Sequence, residues 1–297
     1  MHNQRFKRAI LYARKHRAAE DVLETMGRIV SLLKPLNMHY CLEAQTAEYF
    51  DFPGDILTDT TDLNPTEDIL IVIGGDGSLL SASHMAIVAD LPVTGISRGR
   101  LGFLTDISPQ QLEAQLGEVL QGHYTEERRF LLKVRMESSL YEKIALNDIV
   151  LSRGNETHLI EFDVTVDQQF VSHYRADGLI LATPTGSTAY ALSAGGPIMH
   201  PLLNAIVMVP MFPHSLSNRP LVISGDAKVC VNISTENEQE LQISCDGQAP
   251  EPIQPGQRFS FEKHERQVRL LHPLTYNYYD TLRLKLGWGS KPHIPKE

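Results

Sequence analysis

The segment Ile69-Leu-Ile-Val-Ile-Gly74-Gly75-Asp76-Gly77-Ser78 constrains this chain most, because it ends a buried strand in a glycine bend that carries a carboxylate. Five consecutive apolar residues, four of them β-branched, read as a strand covered on both faces, as in a parallel sheet. The glycines stop the strand, and Ser78-Leu-Leu-Ser-Ala82 opens a helix whose first turn offers unpaired N–H donors. Such a bend suits pyrophosphate. Asp76 would repel that ligand unless a metal or an adjacent hydroxyl needed its carboxylate. Phosphate-binding backbone beside an acid therefore points to phosphoryl transfer onto a hydroxyl. Asp76 as a simple helix cap is the plain alternative.

With 297 residues, the chain is long enough for one large or two modest domains. At 42% apolar and 21% charged residues it has the composition of an ordinary globular protein. Its formal charge of −9 argues against a nucleic-acid partner, which requires a basic face. An anionic ligand must then be held by local donors. Three scattered cysteines, Cys41, Cys230 and Cys245, show no pairing or metal spacing, which suggests a reducing compartment. The apolar run Ala9–Ala13 behind Arg5, Lys7 and Arg8 is too short for a signal peptide, and no run approaches the ~18 residues of a membrane span. A cytoplasmic protein with no membrane partner is the expectation.

The pattern changes near residue 125. Before it, strands and helices alternate. Ala9–Ala13 reads as a first strand, and residues 18–36 place Val22, Met26, Ile29, Val30 and Leu33 at helical spacing, with Pro35 ending the helix. Residues 51–66 read as loop, and 92–96 as another strand. Ser108-Pro109 reads as the start of a helix that Gly122 ends. After residue 128 the period is two. In Ile160–Asp167 the residues Ile160, Phe162, Val164 and Val166 share one face, while Glu161, Asp163, Thr165 and Asp167 share the other. Residues 228–233 and 241–245 alternate likewise. The expected fold is an α/β open-sheet (Rossmann-like) domain over residues 1–127, followed by an all-β sandwich over 128–274. Segment 275–297, helical from about Tyr278, would complete the first domain.

Two further motifs strengthen the first. Arg98-Gly-Arg-Leu-Gly-Phe103-Leu-Thr-Asp106 follows the next strand and suits a crevice for a phosphorylated ligand. Asp177-Gly178 leads into Thr183-Pro-Thr185-Gly-Ser187-Thr188-Ala189-Tyr190 and Ser193-Ala-Gly-Gly-Pro197. This stretch is dense in hydroxyls and glycines that could meet a sugar, a phosphate or a purine edge. Ser187 or Thr188 could cap a short helix. Asn147-Asp148 interrupts the apolar stretch Ile144–Leu151, so that at least one of the pair faces a site. Asp246-Gly247-Gln248 reads first as a turn. The twelve histidines form no ligand cluster, and Glu126–Arg129 reads as a solvated charge run, so no metal-ligating residue is assigned.

Taken in this order, these motifs resemble the NAD kinases, specifically the bacterial ATP-dependent kind. Gly74–Gly77, Gly99–Phe103, Asn147-Asp148, Asp177-Gly178 and Thr183–Tyr190 carry the likeness, over about residues 65 to 288. The resemblance implies NAD bound between two domains, homo-oligomers (dimer or tetramer) whose neighbouring subunits help close the site, ATP as phosphoryl donor and Mg²⁺ held through phosphates. It further implies that Asp76 is the general base for the adenosine ribose 2′-hydroxyl, flanked by Gly75 and Gly77. Asn147 and Asp148 would hold ribose and pyrophosphate groups, and Thr188, Ala189 and Tyr190 would frame the nucleoside. Asp177 would reach the adenine, within its own subunit or across a boundary, and Arg175 would influence the choice between NAD and NADH. Arg98, Phe103, Thr185, Ser187, Ser193 and Gln248 complete the candidate binding set. The family usually has Glu where this chain has Asp148, so that carboxylate is drawn back by about one methylene.

The competing readings are a diacylglycerol- or sphingosine-type lipid kinase, a phosphofructokinase-like sugar kinase and a non-catalytic dinucleotide sensor. The hydroxyl-rich third motif argues against an apolar acceptor pocket. Asp76 argues against a pure binder. No GxGxxG with an acid ~20 residues on supports a dehydrogenase, and no Walker GxxxxGK[ST] is present.

Overall fold

The computed structural model describes residues 6–15, 19–99, 101–137, 139–154, 158–238 and 240–289. Arg5, residue 18 and Arg100 lie outside them. The chain divides into two compact units, residues 1–128 with 268–297, and residues 129–267.

In the first unit the elements run β1 (Arg8–Ala13), α1 (Ala19–Leu33), β2 (His39–Leu42), α2 (Ala44–Tyr49), β3 (Asp55–Ile56), β4 (Asp68–Ile73), α3 (Asp76–Ala89), β5 (Pro92–Ile96) and α4 (Leu112–Leu120). Strands β5, β4, β1, β2 and β3 lie side by side in that order, all parallel. Every residue of β4 is buried, as its unbroken apolar run demands. Because β2 and β3 extend the sheet to one side of β1 and β4 and β5 to the other, the strand order reverses between β1 and β4. In open α/β sheets, ligands bind at the carboxyl ends of the strands flanking such a reversal.

Four local expectations differ from the structure. Helix α1 stops at Leu33, and Pro35 sits inside a separate 3₁₀ turn, Lys34–Leu36. Early in that turn its missing N–H costs nothing, and Asn37 ends it at φ 50°. The 51–66 segment is not all loop, since β3 pairs with β2 and Asp59 caps a 3₁₀ turn at Thr60–Asp62. Ser108 does not cap with its side chain; a 3₁₀ turn, Pro109–Gln111, intervenes before α4. The Glu126–Arg129 run is not a solvated cluster, because it lies in a strand. Glu126 pairs with Arg269 at 3.0 Å, and Arg129 is only 2% exposed.

The second unit contains β6 (Tyr124–Met136, which enters from the first unit), β7 (Glu142–Ala145), β8 (Asp148–Arg153), β9 (Ile160–Val166), β10 (Gln169–Ala176), β11 (Gly178–Ala182) and α5 (Tyr190–Ser193). Strands β12 (Ala205–Met211), β13 (Leu221–Ser224), β14 (Val229–Ile233), β15 (Leu241–Cys245), β16 (Glu251–Ile253) and β17 (Arg258–Pro273) follow. One sheet runs β10-β9-β14-β17, with β6 beside β17 and β7 beside β6. The other runs β13-β12-β11-β8-β15-β16, with antiparallel neighbours throughout. Phe162, Val164, Phe259 and Phe261 from the first sheet share a core with Ile149, Leu151, Leu179 and Leu181 from the second. This is the expected sandwich, and the period-two segments account for it. Ile144–Leu151 is not one strand, however; it breaks at Leu146-Asn147 between β7 and β8.

The last part of β17 returns to the first unit, where Arg269 and Leu270 pair parallel with Pro92 and Val93. By compactness the division falls at Val268. Helix α6 (Tyr278–Leu286) follows, capped by the Asn277 side chain, which accepts the Tyr279 N–H at 2.9 Å. No described helix is long and apolar enough to cross a membrane.

Candidate active site

The strand reversal of the first unit opens a pocket of about 350 Å³. Its floor is the end of β4 and the glycine turn (Ile73, Gly74, Gly75, Gly77, Ser78), and its rim carries Arg14, Lys15 and Arg98. A Cβ on Gly74 would lie 2.3 Å from Ser78 Oγ and 2.7 Å from Ser78 Cβ, so any larger residue there would force Ser78 to shift. Helix α3 begins at Asp76 with Gly75 as its cap, and its N-terminal end, where the Ser78 N–H closes on Gly75 O at 2.9 Å, meets a cationic rim. Arg98 was expected here. Arg14 and Lys15 were not, because only strand pairing brings the end of β1 beside Gly74.

Asp76 does not cap its own helix. Its carboxylate reaches the Arg98–Asp106 loop, where Oδ1 accepts the N–H of Leu104 at 2.9 Å and of Thr105 at 3.3 Å. Oδ2 accepts the N–H of Phe103 at 2.9 Å, and Thr105 Oγ1 donates to Oδ1 at 3.3 Å. The loop must approach closely: a Cβ on Gly102 would lie 2.0 Å from Asp76 Oδ1. Oδ2 carries one N–H bond and keeps a lone pair for a second donor. At the far end of this loop, Asp106 Oδ2 meets buried His272 Nδ1 at 2.8 Å, and Tyr276 stacks on the imidazole with centroids 4.0 Å apart.

The second unit has its own cavity of about 420 Å³, in which Asn147, Asp148, Ala189 and Tyr190 come together. Val150, Ser152, Gln242, Ser244, Asp246 and Gly247 complete its wall and were not anticipated. Gln242 and Ser244 are the polar alternates of β15, a pattern that any half-buried strand shows. Thr183 docks the Thr183–Tyr190 loop onto this wall, its N–H donating to Asn147 O at 2.9 Å and its Oγ1 to Leu146 O at 2.6 Å.

The remaining candidates lie apart from that cavity. Thr185 and Ser187 are buried, and Ser187 Oγ, rather than capping a helix, donates to Pro184 O at 2.6 Å and accepts the Met199 N–H at 2.9 Å. Thr188 Oγ1 donates to Thr185 O at 3.1 Å. Asp177 pairs with Arg153 at 3.1 Å, and exposed Arg175 pairs with Glu161 at 2.8 Å. Ser193 and Gln248 are exposed. Phe103 lies in the first unit, its ring 6.4 Å from that of Tyr278.

Asp148 is 4% exposed, and burial, assisted by the charge of Asp246, pushes its carboxyl up to about 7; a backbone N–H bond from Tyr190 partly offsets this. A carboxyl raised in this way binds more protons folded than unfolded, so its contribution to stability is lost as pH rises from about 4 to about 7. Asp148→Asn is therefore expected to raise the unfolding free energy by on the order of 2 kcal/mol at pH 8 and to leave it unchanged near pH 4. Denaturant melts at the two pH values check this. Nearby Cys245 is a buried thiol pushed up to about 12, which disqualifies it as a nucleophile.

A Rossmann-like unit with a cationic pocket at its strand reversal, joined to a sandwich with a polar cavity, defines a two-domain nucleotide-binding protein. The family model for the ATP-NAD kinase N-terminal domain matches residues 18–124, and that for the ATP-NAD kinase C-terminal domain matches residues 146–273. An NAD kinase of Legionella pneumophila (strain Paris) is 58% identical over 97% of this chain and 98% of its own. An NAD kinase of Coxiella burnetii (strain Dugway 5J108-111) is 49% identical over 96% of each. Among solved structures, yeast NADH kinase complexed with NADH superposes with a TM-score of 0.85 at 25% identity, covering 99% of this chain and 91% of that one. An NAD kinase from Archaeoglobus fulgidus in complex with ATP gives a TM-score of 0.70 at 26% identity, covering 94% and 97%. The chain belongs to the ATP-NAD kinase family.

Proposed function

We propose that this chain transfers the γ-phosphoryl group of ATP to the 2′-hydroxyl of the adenosine ribose of NAD, giving NADP and ADP. The observation that carries the reading is a carboxylate, Asp76, at the same glycine turn that opens a cationic pocket of about 350 Å³. In this reading Arg14, Lys15, Arg98 and the first-turn amides of α3 hold the donor phosphates. Asp76 accepts the hydroxyl proton as the oxygen attacks the γ-phosphorus, and ADP leaves with the bonding electron pair. Asn147, Asp148, Ala189 and Tyr190 bind the acceptor. Such transfer consists mostly of positioning and charge stabilisation.

Mg²⁺ would accompany the ATP phosphates in this reading. When bound, the ion neutralises charge on the phosphate oxygens. The thiols Cys41, Cys230 and Cys245 are free, which suits the cytoplasm. A homodimer or homotetramer is part of the same proposal, to be checked by sedimentation.

Arg98→Ala is expected to raise KM for ATP about tenfold and to change KM for NAD little, as the loss of one charge-assisted hydrogen bond implies. Initial rates with each substrate varied in turn measure this. The acceptor is tested by supplying ATP with NAD or with diacylglycerol. The polar wall formed by Asn147, Asp148, Ser152, Gln242 and Ser244 predicts phosphorylation of NAD alone. Phosphatidic acid in place of NADP would favour the lipid-kinase reading.

A further inference from the structure

We infer that Asp246 is a positioning residue for this reaction: its carboxylate splints the backbone of Leu146–Asp148 and thereby aims Asn147 and Asp148 at the acceptor. The inference rests on the reading that these two side chains meet NAD.

Three consecutive amides converge on this one carboxylate. Asp246 Oδ2 accepts the Leu146 N–H at 2.8 Å, while Oδ1 accepts the N–H of Asn147 at 2.7 Å and of Asp148 at 3.3 Å. The N–H of Asp246 itself donates to Asp148 O at 2.9 Å. Here the expected strand breaks: the ladder between β8 and β15 reaches Ile149 opposite Cys245, and beyond it a side chain replaces the partner strand. The carbonyl edge is held separately, by Thr183 on Leu146 O and Asn147 O. Gly186 packs so closely there that a Cβ would lie 2.0 Å from Asn147 O. With both edges fixed, Asn147 and Asp148 have little freedom except into the cavity they line. The buried Oδ1 of Asn147 has no hydrogen-bond partner among the described residues, as expected of an atom kept for a ligand.

Asp246 also shapes what Asp148 presents. Asp246 and Cys245 face Asp148 from the end of β15, and Tyr190 faces it from α5. The Asp246 charge favours the protonated form of Asp148, so the pair offers the acceptor an O–H donor as well as acceptor oxygens.

A purely structural role predicts something different. Asp246 and Gly247 have φ of 51° and 66°, and Gln248 N–H closes the turn on Cys245 O at 2.9 Å. Asn-Gly suits such a turn at least as well as Asp-Gly. Asp246→Asn thus preserves the turn while setting an NH₂ group against backbone N–H donors. KM for NAD is expected to rise at least about tenfold with KM for ATP within about twofold, and the limb of the kcat/KM profile for NAD that follows Asp148 should move to lower pH. Wild-type KM for NAD together with an unchanged pH profile would overturn the inference. Should the variant not fold, amide hydrogen exchange on the wild-type protein decides. Protected Leu146 and Asn147 amides support the splint, and exchange at unstructured-peptide rates overturns it. Wild-type NADP formation in the same assay separates this question from the assignment of the reaction, because a wild type that makes no NADP sinks that assignment while the exchange test still stands.

Discussion

Asp76→Asn is expected to lose at least about 10²-fold in kcat while NAD still binds, because a positioned base typically contributes ~10²–10⁴-fold. The substitution keeps the shape of the side chain but removes the proton acceptor. The structure adds a second consequence. Asp76 holds the Phe103–Thr105 amides with both oxygens, and an amide can present only one oxygen. An NH₂ in place of either oxygen faces a backbone N–H, so the Arg98–Asp106 loop loosens as well. The two effects separate by measurement. Loss of the base alone lowers kcat and leaves the Kd for NAD, measured by calorimetry, near wild type. Loss of the splinted loop raises KM for ATP through Arg98, which the loop carries. Near-normal turnover in this variant would refute the role of Asp76.

Gly186→Ala should have the second largest effect, and for a reason unconnected with chemistry. The added Cβ would lie 2.0 Å from Asn147 O and 2.4 Å from its carbonyl carbon. Both are backbone atoms, and the segment that carries them is held by Asp246 on one edge and Thr183 on the other. No flexible side chain is available to yield. Overpacking of this kind costs about 3 kcal/mol, which for a unit of this size is a fall of roughly 6–12 °C in Tm. The Thr183–Tyr190 loop can relieve the clash only by lifting from Asn147, so KM for NAD should rise in the fraction that folds. Gly195→Ala is the control. No atom lies within 4 Å of a Cβ built there, and its positive φ of 86° adds backbone strain without a clash. Its Tm should fall less, and differential scanning calorimetry of the two variants reads the contrast.

The features legible in the sequence are those written within a few residues of one another. Ile69–Ile73 announced a doubly covered strand, and Ile160–Val166 and Leu241–Cys245 announced half-buried ones, because periodicity is local. The glycine turn, the Arg98–Asp106 loop and the Thr183–Tyr190 loop were legible for the same reason. Contacts between distant segments were not. Asp246 meets Leu146 across 100 residues and Arg269 meets Glu126 across 143, and no local pattern marks either pair. This is why Asp246 read as a turn and Glu126–Arg129 as solvated. Arg14 and Lys15 became part of a pocket only when β1 paired with β4 and the strand order reversed beside them. Asn147-Asp148 drew notice as polar residues in an apolar run, but the break in the strand there required a carboxylate from another hairpin.

The measurement closest to the central claim is ³¹P NMR of the purified chain incubated with ATP, Mg²⁺ and NAD. The account predicts a single new phosphomonoester, on the 2′-oxygen of the adenosine ribose, growing in step with ADP and at least about 10²-fold more slowly when Asp76 is replaced by Asn. ATP hydrolysed to ADP and inorganic phosphate with NAD unchanged, or a phosphate on any other hydroxyl, would contradict it.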